Sequence, residues 1–401
     1  VEDLVARSLL LLHPTPGGPA RYRMLHTVRA AVLDQPAAGA TGAGATVAGA
    51  GPEVEARRAR HARHFLEVAA GADDALRGPA EPDATRRLQQ VLAELRTAHS
   101  WARTHDPSLA AELTAHLQAF AVATQADEVL QWGARLAPVL ADDEDRAVAE
   151  VAAAARLSVA GELAVATGRA LTALEAARRP ATRWAALEVL ADAALYDGRL
   201  EECGRLGTRL RAEAGEAGDR LYVALGGTSC ALALAYAEDR TAARAELAAT
   251  TALLDRLGPL SPSSSGWLAY AAAEVEAEPD PAAAAEHLHR AVTLADATGN
   301  RYLGGVARVA RTSLQARHGD PADAAAPFAD VVRWWLDQGN RTHLLTALRN
   351  LVELQVRLGR DGAAAELWGA VVPATLSPSY GAERRRLDRA AEVLAGRLGE
   401  E

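Results

Sequence analysis

The chain has 401 residues, of which 49% are hydrophobic and only 4% aromatic, and its formal net charge is −9. This alanine-rich, aromatic-poor composition favours close packing of helices over sheets, which prefer β-branched and aromatic side chains. All 43 basic residues are arginine, which excludes a complete Walker A phosphate loop and Schiff-base chemistry, and the acidic balance argues against direct contact with nucleic acid.

The first 35 residues predict the order helix, strand, turn, strand, helix. The apolar run Leu9–Leu12 and the alternating stretch Arg21–Leu25 are typical of short strands, and the Pro- and Gly-rich segment 13–20 predicts the turn between them. Residues 36–52 are low-complexity Gly/Ala sequence, which predicts a linker. Its glycines lack the preceding strand and the spacing of a dinucleotide-binding loop.

Helical periodicity continues from residue 53 to the end of the chain. Residues 53–141 predict helices that lead into the repeats of residues 142–401, with Asp106-Pro107 as a helix start. His61 and His64 share a helical face, where flanking arginines favour a solvated or packing surface over a metal site. Neither HExxH nor Gly-x-Ser-x-Gly occurs, so we predict no catalytic residue, no metal and no enzyme activity for this region.

A repeat of about 40 residues is the strongest internal signal. Short Gly, Asp and Pro punctuation recurs at Gly198, Glu238, Pro279, Gly319 and Gly359. Five residues after each of these marks stands a small residue, namely Cys203, Ala243, Ala284, Ala324 and Ala364. Nine residues after four of them stands a large one, namely Leu247, Leu288, Phe328 and Trp368. Both positions fall on one helical face, so we predict that they pack neighbouring helices together in a solenoid.

A second explanation of the even spacing is a non-repetitive helix bundle whose loops recur by chance, and five marks that agree to within one residue argue against it. The tryptophans leave two interpretations open. Trp334, Trp335 and Trp267 are candidate partner-binding anchors if they face an open concave surface. The alternative, which we favour, places them in the core between repeats.

The repeat resembles a known family. Gly319–Phe328 is similar to the turn and second helix of a tetratricopeptide repeat, and Gly198–Glu202 and Gly359–Ala364 are similar as well. The period exceeds the usual 34 residues, and the aromatic signature of the first helix is poor. The resemblance implies an all-α fold, a right-handed superhelix of antiparallel helix pairs.

The beginning of the chain resembles part of a larger regulator. Leu4–Leu10 and Arg21–Arg29 are similar to the end of the winged-helix module that closes a STAND-class nucleotide-switch ATPase. Arg60–Leu66 and Leu95–Ala102 are similar to the helical segment that follows it. The relatives are actinobacterial transcriptional regulators of the AfsR, LuxR and MalT-like types. Residues 1–35 are thus expected to be a winged-helix remnant with a β-hairpin.

The resemblance implies a parent protein with an upstream ATPase module that binds ATP or ADP and with a DNA-binding domain at one end. None of the phosphate-loop residues is present in this chain, so no cofactor is expected here. Aligning on Val28-Arg29 places Leu25, and not His26, at the nucleotide-contacting histidine of eukaryotic relatives. His26 is therefore only a weak candidate for a nucleotide contact, and a histidine at a helix start is the favoured interpretation.

The sequence thus predicts a non-catalytic region that senses an inducer and binds proteins within a STAND-type transcriptional regulator. A protein or small-molecule inducer is expected on the concave face of the repeats, and cysteine usage and the absence of a signal peptide favour a cytoplasmic location without membrane contact. One alternative is a free-standing tetratricopeptide scaffold without a nucleotide switch. Another is an all-helical enzyme, which would need an acid/base pair converging in a pocket.

Overall fold

The computed structural model describes residues 4, 5, 7, 9–13, 21–24, 51–372 and 378–399. The chain divides into two compact units, residues 1–60 and 61–401. In the first unit, β1 (Leu10–His13) pairs with β2 (Arg21–Met24) in antiparallel register, with Leu10 opposite Met24. The winged-helix remnant itself stays a prediction. His26 and residues 36–50 of the predicted linker lie outside the described residues.

The described part contains seventeen α-helices and one 3-10 turn, Ala137–Val139. In chain order the helices are α1 (Pro52–Leu76), α2 (Glu81–His105), α3 (Pro107–Thr124), α4 (Asp127–Leu136), α5 (Asp143–Val159), α6 (Leu163–Ala176), α7 (Pro180–Tyr196), α8 (Leu200–Ala217), α9 (Arg220–Tyr236), α10 (Arg240–Leu257), α11 (Pro262–Glu276), α12 (Pro281–Thr298), α13 (Arg301–His318), α14 (Pro321–Gln338), α15 (Arg341–Arg357), α16 (Asp361–Val371) and α17 (Gly381–Leu398). None of them combines the length and apolarity that crossing a bilayer requires.

Helix starts are fixed by short polar side chains. Asp106 accepts the backbone N–H of Leu109 at 3.2 Å, as the sequence predicted for this position, and Asn300 accepts that of Leu303 at 3.0 Å. Each cap satisfies one of the N–H groups that a first turn leaves without an intrahelical partner. Because most helices carry such a cap, their boundaries follow directly from local sequence.

The helices from α3 to α16 stack as consecutive antiparallel pairs. Each odd-numbered helix contacts the next odd-numbered helix as well as its even-numbered neighbours, so the odd helices form an inner layer and the even helices an outer one. The five punctuation marks all fall in the turn between the inner and outer helix of a pair. Three of these turns use the left-handed backbone, at Gly198, Glu238 and Gly359. Glycine adopts this backbone without strain, and Glu238 is the one mark that adopts it with a side chain.

The stack winds until late pairs meet early ones. Helix α13 contacts α3, and α15 contacts α5. The Thr342 hydroxyl donates to the Ser158 carbonyl at 3.1 Å, and the Ser263 N–H donates to a carboxylate oxygen of Glu81 at 2.8 Å. The inner helices therefore enclose a space, which is bounded on several sides by helices that are remote in sequence.

The small residues of the repeat lie where neighbouring helices approach most closely. Cys203, Ala243, Ala284, Ala324 and Ala364 are all fully buried. Of the large residues, Leu288 and Phe328 are buried, whereas Leu247 and Trp368 are half-buried. Trp368 donates its indole N–H to the Leu387 carbonyl at 3.3 Å, so α17 covers the last outer helix.

The tryptophans divide between core and cavity. Trp335 is 0% exposed and stacks on His343 with ring centroids 4.6 Å apart. A partner cannot touch it in this conformation, so the core interpretation describes it and the anchor interpretation does not. Trp334 is half-buried against the edge of Trp335, and Trp267 is half-buried on the inner layer.

Candidate functional site

The inner faces of α7, α9, α11, α13 and α15, together with the beginning of α17, line a cavity of about 180 Å³ that we call the lumen. The side chains that line it recur at helical spacing, as Glu188, Asp192 and Tyr196 do on α7. One stripe of each inner helix therefore faces the lumen. The aromatic lining consists of Tyr196, Tyr236, Trp267, Tyr270, Tyr302 and Tyr380.

A chain of polar contacts crosses the lumen. Tyr302 on α13 donates its hydroxyl to Asp192 on α7 at 3.3 Å. The Tyr196 hydroxyl lies 3.0 Å from the Tyr302 hydroxyl and 2.9 Å from Nε2 of His343 on α15. His343 Nδ1 in turn lies 3.0 Å from the side-chain oxygen of Asn340, the N-cap of α15. Residues that are more than a hundred positions apart are thus held together inside the solenoid.

The protonation state of His343 follows from its surroundings. Burial lowers the pKa of His343 to about 3, so the ring is neutral near pH 7. The Asn340 oxygen also accepts the His343 backbone N–H at 3.1 Å, and an amide oxygen can only accept. Nδ1 therefore carries the ring proton and donates it to Asn340, which leaves Nε2 to accept the Tyr196 hydroxyl. Both ring nitrogens serve the structure.

Two carboxyl groups on α7 share one face of the lumen. Burial, together with the neighbouring charge of Asp192, raises the pKa of Glu188 well above its usual range. Burial raises the pKa of Asp192 to about 7, against the opposing effect of the Tyr302 hydrogen bond. Since the two residues are four apart on a helix, their side chains are neighbours and repel each other when both are ionised.

Four arginines also line the lumen, and two of them form ion pairs with glutamates. Arg349 lies 3.0 Å from Glu383, and Arg386 lies 3.3 Å from Glu278. Arg317 differs, because burial and the charge of Arg386 lower its pKa. Its Nε is buried without a hydrogen-bond partner among the described residues.

The last helix closes one side of the lumen. Tyr380, just before α17, lies with its ring centroid 5.8 Å from that of Tyr236 and packs against Gly198, where an added Cβ would meet the ring at 3.1 Å. Arg385 on the first turn of α17 forms an ion pair with Glu238. Access to the lumen from this side therefore depends on how α17 is seated.

Carboxyl groups and a histidine lie together in the lumen. This is the kind of convergence that an all-helical enzyme would need. His343 is not free to act as an acid or a base in this arrangement, because both of its ring nitrogens are engaged in hydrogen bonds. The thiols of Cys203 and Cys230 are buried, and burial raises the pKa of Cys230 to about 11. In the described part of the chain, no group of three His, Cys, Asp or Glu side chains could hold a metal ion, and His61 pairs instead with Glu94 at 2.9 Å.

Sequence reasoning named Trp267 but missed most of the lumen residues. A signal for Glu188 and Asp192 was present, since they are two acids four residues apart in a helix that is apolar from Trp184 onward except for this pair. Tyr196 and Tyr236 also occupy the same repeat position, 40 residues apart. Which inner helices face one another across the lumen, however, depends on the winding of the stack.

Comparison with known proteins gives similarity of fold. No family model and no curated protein matches this chain. A Rap protein complexed with Competence and Sporulation Factor is similar, with a TM-score of 0.51 and 11% identity over 86% of this chain and 99% of that chain. A Signal Transduction ATPase with Numerous Domains (STAND) protein with a tetratricopeptide repeat sensor, from Pyrococcus horikoshii, has a TM-score of 0.50 and 14% identity over 100% of this chain.

This chain spans 55% of the length of that STAND protein. At such low identities the likeness shows the fold alone, which is a tetratricopeptide-like helical repeat.

Proposed function

We propose that this chain is the sensor and protein-interaction region of a STAND-type bacterial transcriptional regulator, and that its inducer binds in the lumen. The observation that carries the proposal is the convergence of five inner helices on one charged, aromatic cavity. Ligand sites are concave and place a few polar groups among apolar walls. A ligand in the lumen would touch α7, α9, α11, α13 and α15 together, so its binding would favour one packing of the repeats over another.

The comparisons support this proposal in two ways. One similar structure is a STAND protein whose repeats are described as a sensor, and the other was solved with a factor bound to the protein. In the proposed parent protein, an upstream module would bind ATP or ADP, and residues 1–35 would be the end of the winged-helix module. The repeat region would contribute the ligand contacts and carry out no reaction.

The test begins with the reading frame upstream of the codon for Val1. The proposal expects an in-frame nucleotide-binding domain with a lysine-containing phosphate loop, and expects the purified full-length product to hydrolyse ATP. Replacement of Trp267 by alanine in the lumen should change the ligand dependence of that hydrolysis and of target-gene transcription. A stop codon directly upstream, with no such domain, would contradict the proposed role in a STAND-type regulator and would support a free-standing scaffold.

The carboxyl pair on α7 also favours a second candidate, acid–base catalysis in the lumen, because perturbed pKa values cluster at active sites. It requires that a ligand which enters the lumen is chemically changed. Incubating the chain with a bound ligand and recovering that ligand unchanged by mass spectrometry would argue against catalysis. Recovery of a product that is not formed by the Glu188→Gln variant would support it.

A further inference from the structure

The acidic and basic side chains that line the lumen are unequal in number. Six carboxyl groups and four guanidinium groups line it, namely Glu188, Asp192, Glu238, Glu274, Glu278 and Glu383 against Arg240, Arg317, Arg349 and Arg386. Glu383, Glu278 and Glu238 each have an arginine partner. Glu274 lies near Arg317 and Arg386. Arg385, the partner of Glu238, lies outside this set of four, so the tally alone does not single out any group. Among the six carboxyl groups, Glu188 and Asp192 are the two with no arginine nearby in the described part of the chain.

No described cation compensates this pair. The only group that stabilises the charged form of Asp192 is the Tyr302 hydroxyl, and the only charge near Glu188 is that of Asp192 itself. Taking a carboxylate out of water without a partner is unfavourable, and placing two of them four residues apart adds repulsion. Packing does not require two carboxyl groups without a cationic partner on one helix face, so the arrangement indicates a positively charged guest.

A second, independent observation lies on the neighbouring inner helix. Thr228 is only 4% exposed and lines the lumen, yet its hydroxyl oxygen has no hydrogen-bond partner among the described residues. Thr228 is the ninth residue of α9, as Glu188 is the ninth residue of α7. The two therefore occupy equivalent positions on adjacent helices. A threonine hydroxyl can accept a hydrogen bond from an ammonium or guanidinium group.

Aromatic rings complete the surroundings of the pair. Trp267 lies edge-on to Tyr302 with centroids 5.5 Å apart, and Tyr302 is the residue that contacts Asp192. Glu188, Trp267 and Tyr302 also line a smaller cavity of about 60 Å³ next to the lumen. Carboxylates beside the faces of tryptophan and tyrosine are the surroundings in which proteins bind organic cations.

We propose that Glu188 and Asp192, with Thr228 and the rings of Trp267 and Tyr302, form a subsite for an organic cation, an amine or guanidinium group of the lumen ligand. This inference rests on the proposed function, since it takes the lumen as the sensory site and names the chemistry of its ligand. The two carboxylates neutralise the cation, the threonine hydroxyl accepts a further hydrogen bond, and the rings cover its apolar stem.

The size of the lumen limits the ligand. A cavity of about 180 Å³ holds several water molecules or one small amine, and it is too small for a whole peptide. A longer ligand could place only a basic side chain or its amino terminus there. The cation can therefore belong to a free small molecule or to the basic end of a short peptide.

Calorimetric titration of the full chain tests the subsite with three probes. Agmatine represents a free small cation, the tripeptide Arg-Ala-Ala represents a peptide-borne guanidinium, and 1,4-butanediol is a neutral control. We expect agmatine or the tripeptide to bind and the diol not to bind. The Glu188→Gln/Asp192→Asn double variant should weaken cation binding at least about tenfold, since a buried charge pair is lost.

The matched control is Asp255→Asn/Asp337→Asn, which removes the same charge at two exposed positions and should leave binding unchanged. Circular dichroism checks that both double variants are folded. If the lumen double variant does not fold, the Glu188→Gln single variant takes its place, because Glu188 makes no described hydrogen bond whose loss would disturb the fold.

Three outcomes would overturn the subsite. The first is that neither cationic probe binds up to about 10 mM, which leaves only a negligible binding free energy. The second is that the wild type and the lumen double variant bind the cation equally well. The third is that the surface control variant loses as much binding as the lumen variant. Binding by agmatine alone supports a free small cation, and binding by the tripeptide alone supports a peptide. Failure here would leave the ATPase-linked role standing, because the upstream reading frame tests that role separately.

Discussion

The inner and outer helices of the solenoid differ in how much they bury and in how regularly they repeat. Helix α9 is buried along most of its length, whereas its outer partner α10 buries only Ala243, Thr250 and Leu254. The outer helices repeat a small residue at one fixed position, and the inner helices present a different set of lumen side chains in every pair.

This difference separates folding from recognition. Each outer helix meets the same demand, close approach to two inner helices, so the same residue type recurs and the period becomes visible in the sequence. Each inner helix meets a different part of one ligand cavity, so its lumen residues need not recur. The four predictions below test that separation, from the largest expected effect to the smallest.

The first prediction concerns the outer layer. Phe328 on α14 is fully buried, so Phe328→Ala should lower the free energy of unfolding by about 3–5 kcal/mol, through lost burial and the cavity left behind. Leu336 on the same helix is 62% exposed, and Leu336→Ala should change the free energy of unfolding by less than about 0.5 kcal/mol. Urea denaturation measures both, and similar values for the two variants would refute the assignment of α14 faces.

The second prediction tests a close approach between an inner and an outer helix. A Cβ on Gly226 of α9 would lie 2.7 Å from the Gly207 carbonyl oxygen of α8, so backbone must move. Gly226→Ala should therefore lower the free energy of unfolding by about 1–3 kcal/mol. Gly168 on α6 has open space around it. Because alanine favours a helix more than glycine does, Gly168→Ala should raise the free energy of unfolding by up to ~1 kcal/mol. In thermal melts, we expect the melting temperature to fall in Gly226→Ala and to rise in Gly168→Ala.

The third prediction uses pH to compare the lumen with a site outside it. Burial lowers the pKa of His343 in the lumen and of His99, stacked on Trp132, to about 3. A histidine whose folded pKa lies below its unfolded value of about 6.5 contributes stability that is present above pH 6.5 and is lost as the pH falls toward 3. Acidification from pH 6.5 to 5 should thus remove about 2 kcal/mol per histidine.

The lumen carboxyl groups act in the opposite direction. Because the pKa of Asp192 is raised to about 7, its contribution to stability is present at low pH and is lost as the pH rises from about 4 to 7. Asp192→Asn should therefore make the chain more sensitive to acid, and His343→Gln should make it less sensitive. Unfolding curves between pH 5 and 7 measure both slopes, and unchanged slopes would contradict the assigned protonation states.

The fourth and smallest effect is expected for the unpaired acid itself. Glu188→Gln removes a half-buried carboxylate that has no cationic partner in the described part of the chain, so stability at pH 8 should rise by about 1 kcal/mol. The exposed control Asp337→Asn should have almost no effect. A loss of stability in Glu188→Gln would mean that the carboxylate serves the fold rather than a ligand.

The sequence alone determined the helix pairs, their turns and the small residues that pack them. Asp106 and Gly359 act within a few residues of their own position, and Ala324 lies five residues from its punctuation mark, so short-range periodicity carries this information. The same periodicity could not decide the roles of the tryptophans, because a half-apolar helical face suits both a core and a groove.

Only the tertiary structure decided where the lumen lies and which side chains it brings together. Tyr196 and His343 are 147 residues apart, yet 2.9 Å separates their polar atoms. Their meeting depends on the small rotation added at each helix pair, which accumulates over the stack until α13 and α15 return to the earlier inner helices. Local sequence determines the packing of each helix pair on the next. The contact across the cavity depends on the rotations of all the pairs added together.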